Sequence, residues 1–252
     1  MRDLGHTTGS RPPGANDEAE SAQAVRAMFD SIAPRYDLLN HVLSCNVDRL
    51  WWWRTARHFR EILARPQARV LDLCCGTGDM TLALLRRRPP QGEPVIAADF
   101  SPAMLQRARA KLAGKNAQVR EADALSLPLA DNSLDLLTTA FGFRNLANYE
   151  AGLREFFRVL APGGTLGILD FSQPGGLAGK LYAFYFRRLL PAIGARISGQ
   201  RGAYSYLPES VGKFPPPPAM MELMRRVGFT EVSWTPYSFG IAGLWRGQKP
   251  VP

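Results

Sequence analysis

Between residues 69 and 171 the chain alternates short apolar runs with helical patterns, and few folds accept that rhythm. "RVLDLC" (69–74), "PVIAAD" (94–99), "AQVREAD" (117–123), "SLDLLTTAF" (133–141) and "TLGILDF" (165–171) read as buried strands. Residues 79–88, 101–112 and 149–160 read as helices. Ser101 stands as N-cap of the second, with Pro102 in its first turn. The third turns Leu153, Phe156, Phe157 and Leu160 inward. Strand–helix–strand repetition predicts an α/β fold: a doubly wound, mostly parallel sheet with helices on both faces. Two later strand-like runs, "EVSWTP" and "SFGIAGLWRG", are placed as an antiparallel pair at the sheet edge, which brings the sheet to seven strands.

Three regions follow. Residues 1–20 are polar and rich in Gly and Pro, and read as a disordered tail. Residues 21–68 form an N-terminal helical region, placed on the substrate side. Val25, Met28, Phe29 and Ile32 carry its first helical spacing. "WWWR" (51–54) also falls there, and consecutive helical residues point ~100° apart, so the three tryptophans cannot share one face. Residues 69–252 are the core, broken by a helical insertion at about 174–212. A late helix, "AMMELMRRVGF", closes on Gly228.

The turn after the first strand carries the chemistry. "LDLCCGTGDM" (71–80) places Gly76 and Gly78 one residue apart, with Asp72 four residues before Gly76. A dinucleotide fold wants a third glycine where this chain has Thr81. Acid and glycines together make the first-motif pattern of S-adenosylmethionine-dependent methyltransferases, in which glycine lets backbone approach the cofactor without a Cβ clash. Alone, the turn is equally compatible with a structural role. The later strand ends decide for the cofactor. Asp99 ends the second strand, where a carboxylate can accept from both ribose hydroxyls. Asp123 follows the third strand and can accept from an adenine amino group, with Ala124 leaving room for the ring. All lie where doubly wound sheets bind ligands. The fold class is therefore a class I, Rossmann-like methyltransferase. Cys74 and Cys75 read as small strand-end residues in ordinary packing.

The chain has three cysteines and three histidines, without metal-ligand spacing, so no metal is expected. The net charge of +9 favours anionic partners: phosphates, nucleic acid or acidic lipid. A nucleic-acid methyltransferase suits the charge, but no "PPY"-type tetrad follows the fourth strand, and no Cys follows the fourth or fifth to attack a pyrimidine. A non-catalytic binding protein suits the fold but not the intact glycine turn with both acids. No secretory signal is visible, and no stretch reaches the ~18 apolar residues of a spanning helix, so a cytoplasmic protein is expected.

Within this fold, the chain resembles the ubiquinone/menaquinone biosynthesis C-methyltransferases from about residue 22 to 250. The resemblance rests on "FDSIAPRYDLLNHVLS" (29–44), "LDLCCGTGDMT", "DFSPAML" (99–105), "FGFRN" (141–145), "RVLAPGG" (158–164), "LDFSQP" (169–174), "YSYLPESV" (204–211) and "FGIAGLWRGQKP". It implies methyl transfer from S-adenosylmethionine to a ring carbon of a prenylated quinol, with Thr77, Asp99, Asp123 and Ala124 as cofactor contacts. The "CCGT" and "SQP" forms lean toward the menaquinone branch, with the ubiquinone branch as the alternative. The chain departs from the family pattern at Asp48, Ala140, Ala161 and Asp170.

A quinol carbon attacks once a ring hydroxyl loses its proton. Arg144, in "FGFRN", is the expected catalytic group, stabilising that charge or orienting a water; the alternative is an arginine paired with a local acid. Tyr36, Asn145 and Tyr206 are the substrate candidates. Residues 177–201 mix aromatics with arginines in a way that suits an interfacial helix, and equally a helical cap or a dimer surface. The expected partners are the prenylated quinol, an anionic membrane surface met transiently and a second copy of the chain as homodimer. Nucleic acid is not among them.

Overall fold

The computed structural model describes residues 9–12, 14–36, 44, 46–174 and 210–252. Tyr206 and nearly all of the insertion expected at 174–212 lie outside them. The first helix, α1 (Glu18–Ile32), is capped by Asp17, whose side chain accepts the Glu20 N–H. Then come α2 (Val47–His58), α3 (Arg60–Leu63), β1 (Val70–Leu73), α4 (Asp79–Leu85), β2 (Val95–Asp99), α5 (Pro102–Lys111) and β3 (Ala117–Glu121). The rest is β4 (Leu134–Ala140), α6 (Tyr149–Val159), β5 (Leu160–Phe171), α7 (Pro217–Val227), β6 (Thr230–Tyr237) and β7 (Ala242–Gln248).

The seven strands form one sheet in the order β3-β2-β1-β4-β5-β7-β6. The first five run parallel, and β7 enters antiparallel between β5 and β6. The expected antiparallel pair therefore exists, with β6 alone at the edge. Side chains alternate across each strand. Leu71 and Leu73 face a core built with α6 and α7, and Val70 faces a second core built with α2 and α4. Both faces of β1 are buried, which is why its sequence reads as a continuous apolar run.

Three details depart from the sequence reading. First, α1 starts inside the stretch expected to be disordered, and Gly9 and Ser10 donate backbone hydrogen bonds to the carbonyls of Ala147 and Leu146. A Cβ at Gly9 would lie 2.0 Å from the Leu146 carbonyl oxygen, so the approach requires glycine. Second, α4 ends at Leu85, short of the helix expected over 79–88. Arg88 instead donates to the carbonyls of Pro66, Ala68 and Glu93 at 2.8–3.1 Å. Third, β5 begins at Leu160, and "APGG" lies within it as a bulge opposite Leu134–Leu136. Gly163 has φ 78° there, and a Cβ at Gly164 would lie 2.7 Å from the Ala161 carbonyl oxygen. Ser101, Pro102 and Gly228 cap as their sequence context predicts.

Candidate active site

Parallel strands end together, so β1, β2 and β4 deliver their following loops to one edge of the sheet. A cleft opens there, enclosing about 700 Å³ with its mouth included. Gly76, Asp99, Asp123 and Ala124 line one wall, and Tyr36, Phe141 and Asn145 also face it. The structure thus brings together most of the residues singled out from sequence.

The glycine turn is shaped by backbone conformation. Cys74, Gly76 and Gly78 all take positive φ (54°, 55° and 96°). A Cβ at Gly76 would point toward Tyr36, 3.8 Å from its ring, and would fill the space over the turn. Gly78 starts α4. Below the turn, Asp72 is fully buried and accepts from the hydroxyls of Thr81 (2.6 Å) and Thr138 (3.2 Å). Burial raises its pKa to about 7, against the pull of those two hydroxyls. Asp72 therefore braces the turn from beneath instead of lining the cleft. Thr77 is buried too, and its hydroxyl accepts from Lys111 Nζ at 2.9 Å, while Lys111 also pairs with Asp79 at 2.9 Å. That clamp fixes the turn to α5.

Asp99 takes the Gly76 N–H at 2.8 Å and the Ser101 N–H at 2.9 Å, one on each oxygen. Burial raises its pKa, and these backbone donors oppose the rise. A carboxylate has about four acceptor positions, so these backbone donors leave acceptor capacity for a ligand hydroxyl. This is the arrangement a ribose requires. With the Gly76 cradle beside it, the chain's own residues fit an adenosine-bearing cofactor. Asp123 is exposed at the rim and accepts the Leu125 N–H at 2.9 Å. Burial and neighbouring carboxylates push the Cys74 and Cys75 thiols up, so neither is a thiolate nucleophile at neutral pH.

Arg144 is buried and pairs with Asp170 at 3.0 Å, while its backbone N–H also donates to Asp170. Its guanidinium donates to the Phe141 carbonyl, and the Tyr149 hydroxyl donates to the Arg144 carbonyl. Arg144 itself does not line the cleft; Phe141 and Asn145, on either side of it, do. Of the two sequence readings, the pairing with a local acid is the one present here. The departure at Asp170 is thus one half of a buried ion pair, and Ala140 adjoins the same wall.

Sequence reasoning missed the contribution of α1. Ala22 and Phe29 line the cleft, and Asp30 accepts from the Ser101 hydroxyl at the start of α5. The first part of the N-terminal helical region, expected on the substrate side, thus lies against the residues expected to bind the cofactor. The signal lay in "FDSIAPRYD", which carried helical spacing and part of the resemblance but was not tied to the glycine turn. Among the described residues, no group of His, Cys, Asp or Glu is arranged to hold a metal ion.

The sequence matches the profile of the ubiE/COQ5 methyltransferase family over residues 16–249. It is 49% identical to a demethylmenaquinone methyltransferase of Deinococcus radiodurans over 246 residues, covering 96% of this chain and 99% of that one. It is 49% identical to a demethylmenaquinone methyltransferase of Thermus thermophilus, covering 88% and 100%. A ubiquinone/menaquinone biosynthesis C-methyltransferase of Geobacter sulfurreducens is 41% identical, covering 91% and 90%. A solved S-adenosylmethionine-dependent methyltransferase from Thermotoga maritima superposes with a TM-score of 0.61 at 20% identity, covering 88% and 98%, which supports the fold.

Proposed function

The chain belongs to the ubiE/COQ5 methyltransferase family, and from that premise we propose that it methylates a ring carbon of demethylmenaquinol. It is an S-adenosylmethionine-dependent C-methyltransferase of quinone biosynthesis. The choice of the menaquinone nucleus is supported by the two relatives at 49% identity, both named for demethylmenaquinone. The observation that carries the reading is one cleft shared by Gly76 and Asp99 on one side and Phe141 and Asn145 beside them.

When bound, S-adenosylmethionine supplies an electrophilic methyl group on a positively charged sulfur. The chain's residues do the rest. Asp99 holds the ribose through its spare acceptor capacity. Asp123 accepts from the adenine amino group, with Ala124 and Met104 as apolar walls. Phe141 and Asn145 position the quinol ring, and Tyr36 faces it across the glycine turn. Asp99, Asp123 and Ala124 would hold S-adenosylmethionine so that it could supply its methyl group to a ring carbon that Phe141 and Asn145 keep in line with it. Alignment of the two partners supplies several kcal/mol of the barrier reduction. Arg144 serves this geometry by holding the Phe141 carbonyl and the Asn145 turn in place.

The prenyl tail and the +9 charge support transient contact with an anionic membrane from the cytoplasmic side. No helix among the described residues is long and apolar enough to cross a membrane. A homodimer belongs to the same proposal; nucleic acid and metal do not.

The test is mass analysis after incubating the purified chain with S-adenosylmethionine and either demethylmenaquinol or a 2-methoxy-6-polyprenyl-benzoquinol. Demethylmenaquinol should gain one methyl group, and faster than the benzoquinol. Asp99→Ala should weaken cofactor affinity roughly 100-fold, the worth of two hydrogen bonds to a charged acceptor. An unchanged affinity would remove Asp99 from the cofactor site.

A further inference from the structure

Arginines are partnered differently on the two faces of the sheet. On the face covered by α6 and α7, exposed arginines stand beside acids: Arg154 and Arg226 pair with Glu150, and Arg225 with Glu222. The outer face of α2 is different. Leu50, Trp53, Arg54 and Arg57 follow the i, i+3, i+4, i+7 spacing, so they share one side of that helix. All four are exposed, and Trp51 and Thr55 are buried on the opposite side. Among the described residues, no acid pairs with Arg54 or Arg57.

That side is apolar as well as basic. Leu50 (49%) and Trp53 (48%) are two of the four exposed large apolar side chains among the described residues. Contact with water disfavours both. Arg57 stands over the Trp53 ring at 5.5 Å, and Arg87, just beyond α4, at 5.6 Å. Arg54 stands over the Tyr237 ring at 4.6 Å. Arg246, on β7, continues the cationic ground toward the sheet edge. Burial lowers the His58 pKa most, and the charges of Arg246, Arg54 and Arg57 lower it further. The basic stripe thus runs from β7 across α2 to the end of α4.

We propose that this outer side of α2 docks the protein on an anionic membrane, with Leu50 and Trp53 at the acyl boundary and Arg54, Arg57 and Arg87 on the lipid phosphates. A nucleic acid or an acidic protein answers the arginines but leaves Leu50 facing charge and water. A lipid surface answers both halves of the stripe. The choice of a membrane over other acidic partners rests on the quinol reading above, because a prenyl tail holds that substrate in a bilayer. The same helix joins the docked side to the cleft. Trp51, on its inner side, stands 5.8 Å from Phe141, which lines the cleft. One helix therefore separates the proposed membrane surface from the cleft wall.

The experiment measures binding of the full chain to vesicles of phosphatidylcholine, alone or with about one-third phosphatidylglycerol. The unaltered chain should bind the anionic vesicles at least tenfold more tightly. Arg54→Gln/Arg57→Gln should weaken that binding roughly 30-fold, about fivefold for each arginine. Trp53→Ala should weaken it roughly tenfold. Arg225→Gln/Arg226→Gln, which removes the same charge from α7, should weaken it less than threefold. All three variants should keep a Tm near that of the unaltered chain. Without vesicles, they should turn over a soluble, tail-less quinol within twofold of its rate. Binding that ignores lipid charge, or equal losses in the two double variants, would overturn the proposal. So would capture of single-stranded RNA or of a second copy through this side, with no response to vesicles. A chain that methylates the quinol but ignores vesicles sinks this inference alone. A chain that docks as described but methylates no quinol, tailed or tail-less, sinks the quinol reading and leaves the docking surface standing.

Discussion

Asp72 and Arg144 are buried charged groups with opposite solutions to the cost of burial. Asp72 is met by neutral donors, the Thr81 and Thr138 hydroxyls and the Thr81 backbone, so burial raises its pKa to about 7. Across roughly pH 4–7 the native chain then holds a proton that the unfolded chain has released. Its contribution to stability is therefore most favourable below pH 4 and is lost as pH rises through 7, by up to about 4 kcal/mol. Asp72→Asn lacks this titration. Denaturant unfolding at several pH values should show the variant gaining on the unaltered chain between pH 4 and 8; a constant difference would refute the assignment. Arg144 and Asp170 instead neutralise each other. Arg144→Ala leaves Asp170 buried alone, which should cost about 3–5 kcal/mol and lower turnover, with cofactor affinity little changed. The double variant Arg144→Ala/Asp170→Ala should lose less than the two single losses combined, as a double-mutant cycle would read. Asp99, Asp123 and the glycines were legible in the sequence because each ends a strand or closely follows one. The sequence could not show that Arg144 meets Asp170, since those residues lie on separate strand ends that only the sheet brings together. Nor could it show that Asp72 points beneath the turn, because strand parity was not anchored to a cofactor.

Helix α2 shows what periodicity reveals and what it leaves open. Three consecutive tryptophans had to point three ways, and they do: Trp51 is 4% exposed, Trp52 is partly buried and Trp53 is 48% exposed. Which one turns inward depended on the helix's rotation against β4 and β5, and no local signal carries that. Trp51→Ala should cost about 3–5 kcal/mol through the cavity it leaves. Trp53→Ala should cost about 1 kcal/mol or less, because it loses only exposed contacts with Arg57 and Arg87. Thermal unfolding of the two variants checks the order, and equal losses would contradict this packing. The same limit governs β5. Its apolar stretch was legible, but "APGG" reads as a helix stop, and only pairing with β4 turns it into a bulge within a strand. Local rules describe loop residues correctly there and miss the ladder, because the ladder is a long-range contact.

At the scale of the whole molecule, the segment before the sheet acts as a clasp over the cleft. Arg26 pairs with Glu121 at 2.9 Å, Asp30 meets Ser101, and Asn148 donates to Glu18 at 3.0 Å. Gly9 and Ser10 bond to the 146–147 backbone, and Ala22 and Phe29 complete the cleft wall. These contacts join residues far apart in sequence, so a reading by periodicity assigned part of the segment to a tail. The individual contacts are weak, since exposed ion pairs contribute about 0–1 kcal/mol. The clasp is thus the part of the fold expected to open first, and a bound cofactor beneath it should hold it closed. At a cofactor concentration of 100 Kd, linkage adds about 2.7 kcal/mol, which corresponds to a Tm rise of roughly 5–10 °C for a chain of this size. Tryptic cleavage at Arg26 should slow in parallel. Asp99→Ala, half saturated at the same cofactor concentration, should keep only about 0.4 kcal/mol of the linkage and about a twofold slowing of cleavage. A full Tm rise with unchanged cleavage at Arg26 would mean that the cofactor binds without engaging the clasp, and α1 would then be packing for the sheet alone.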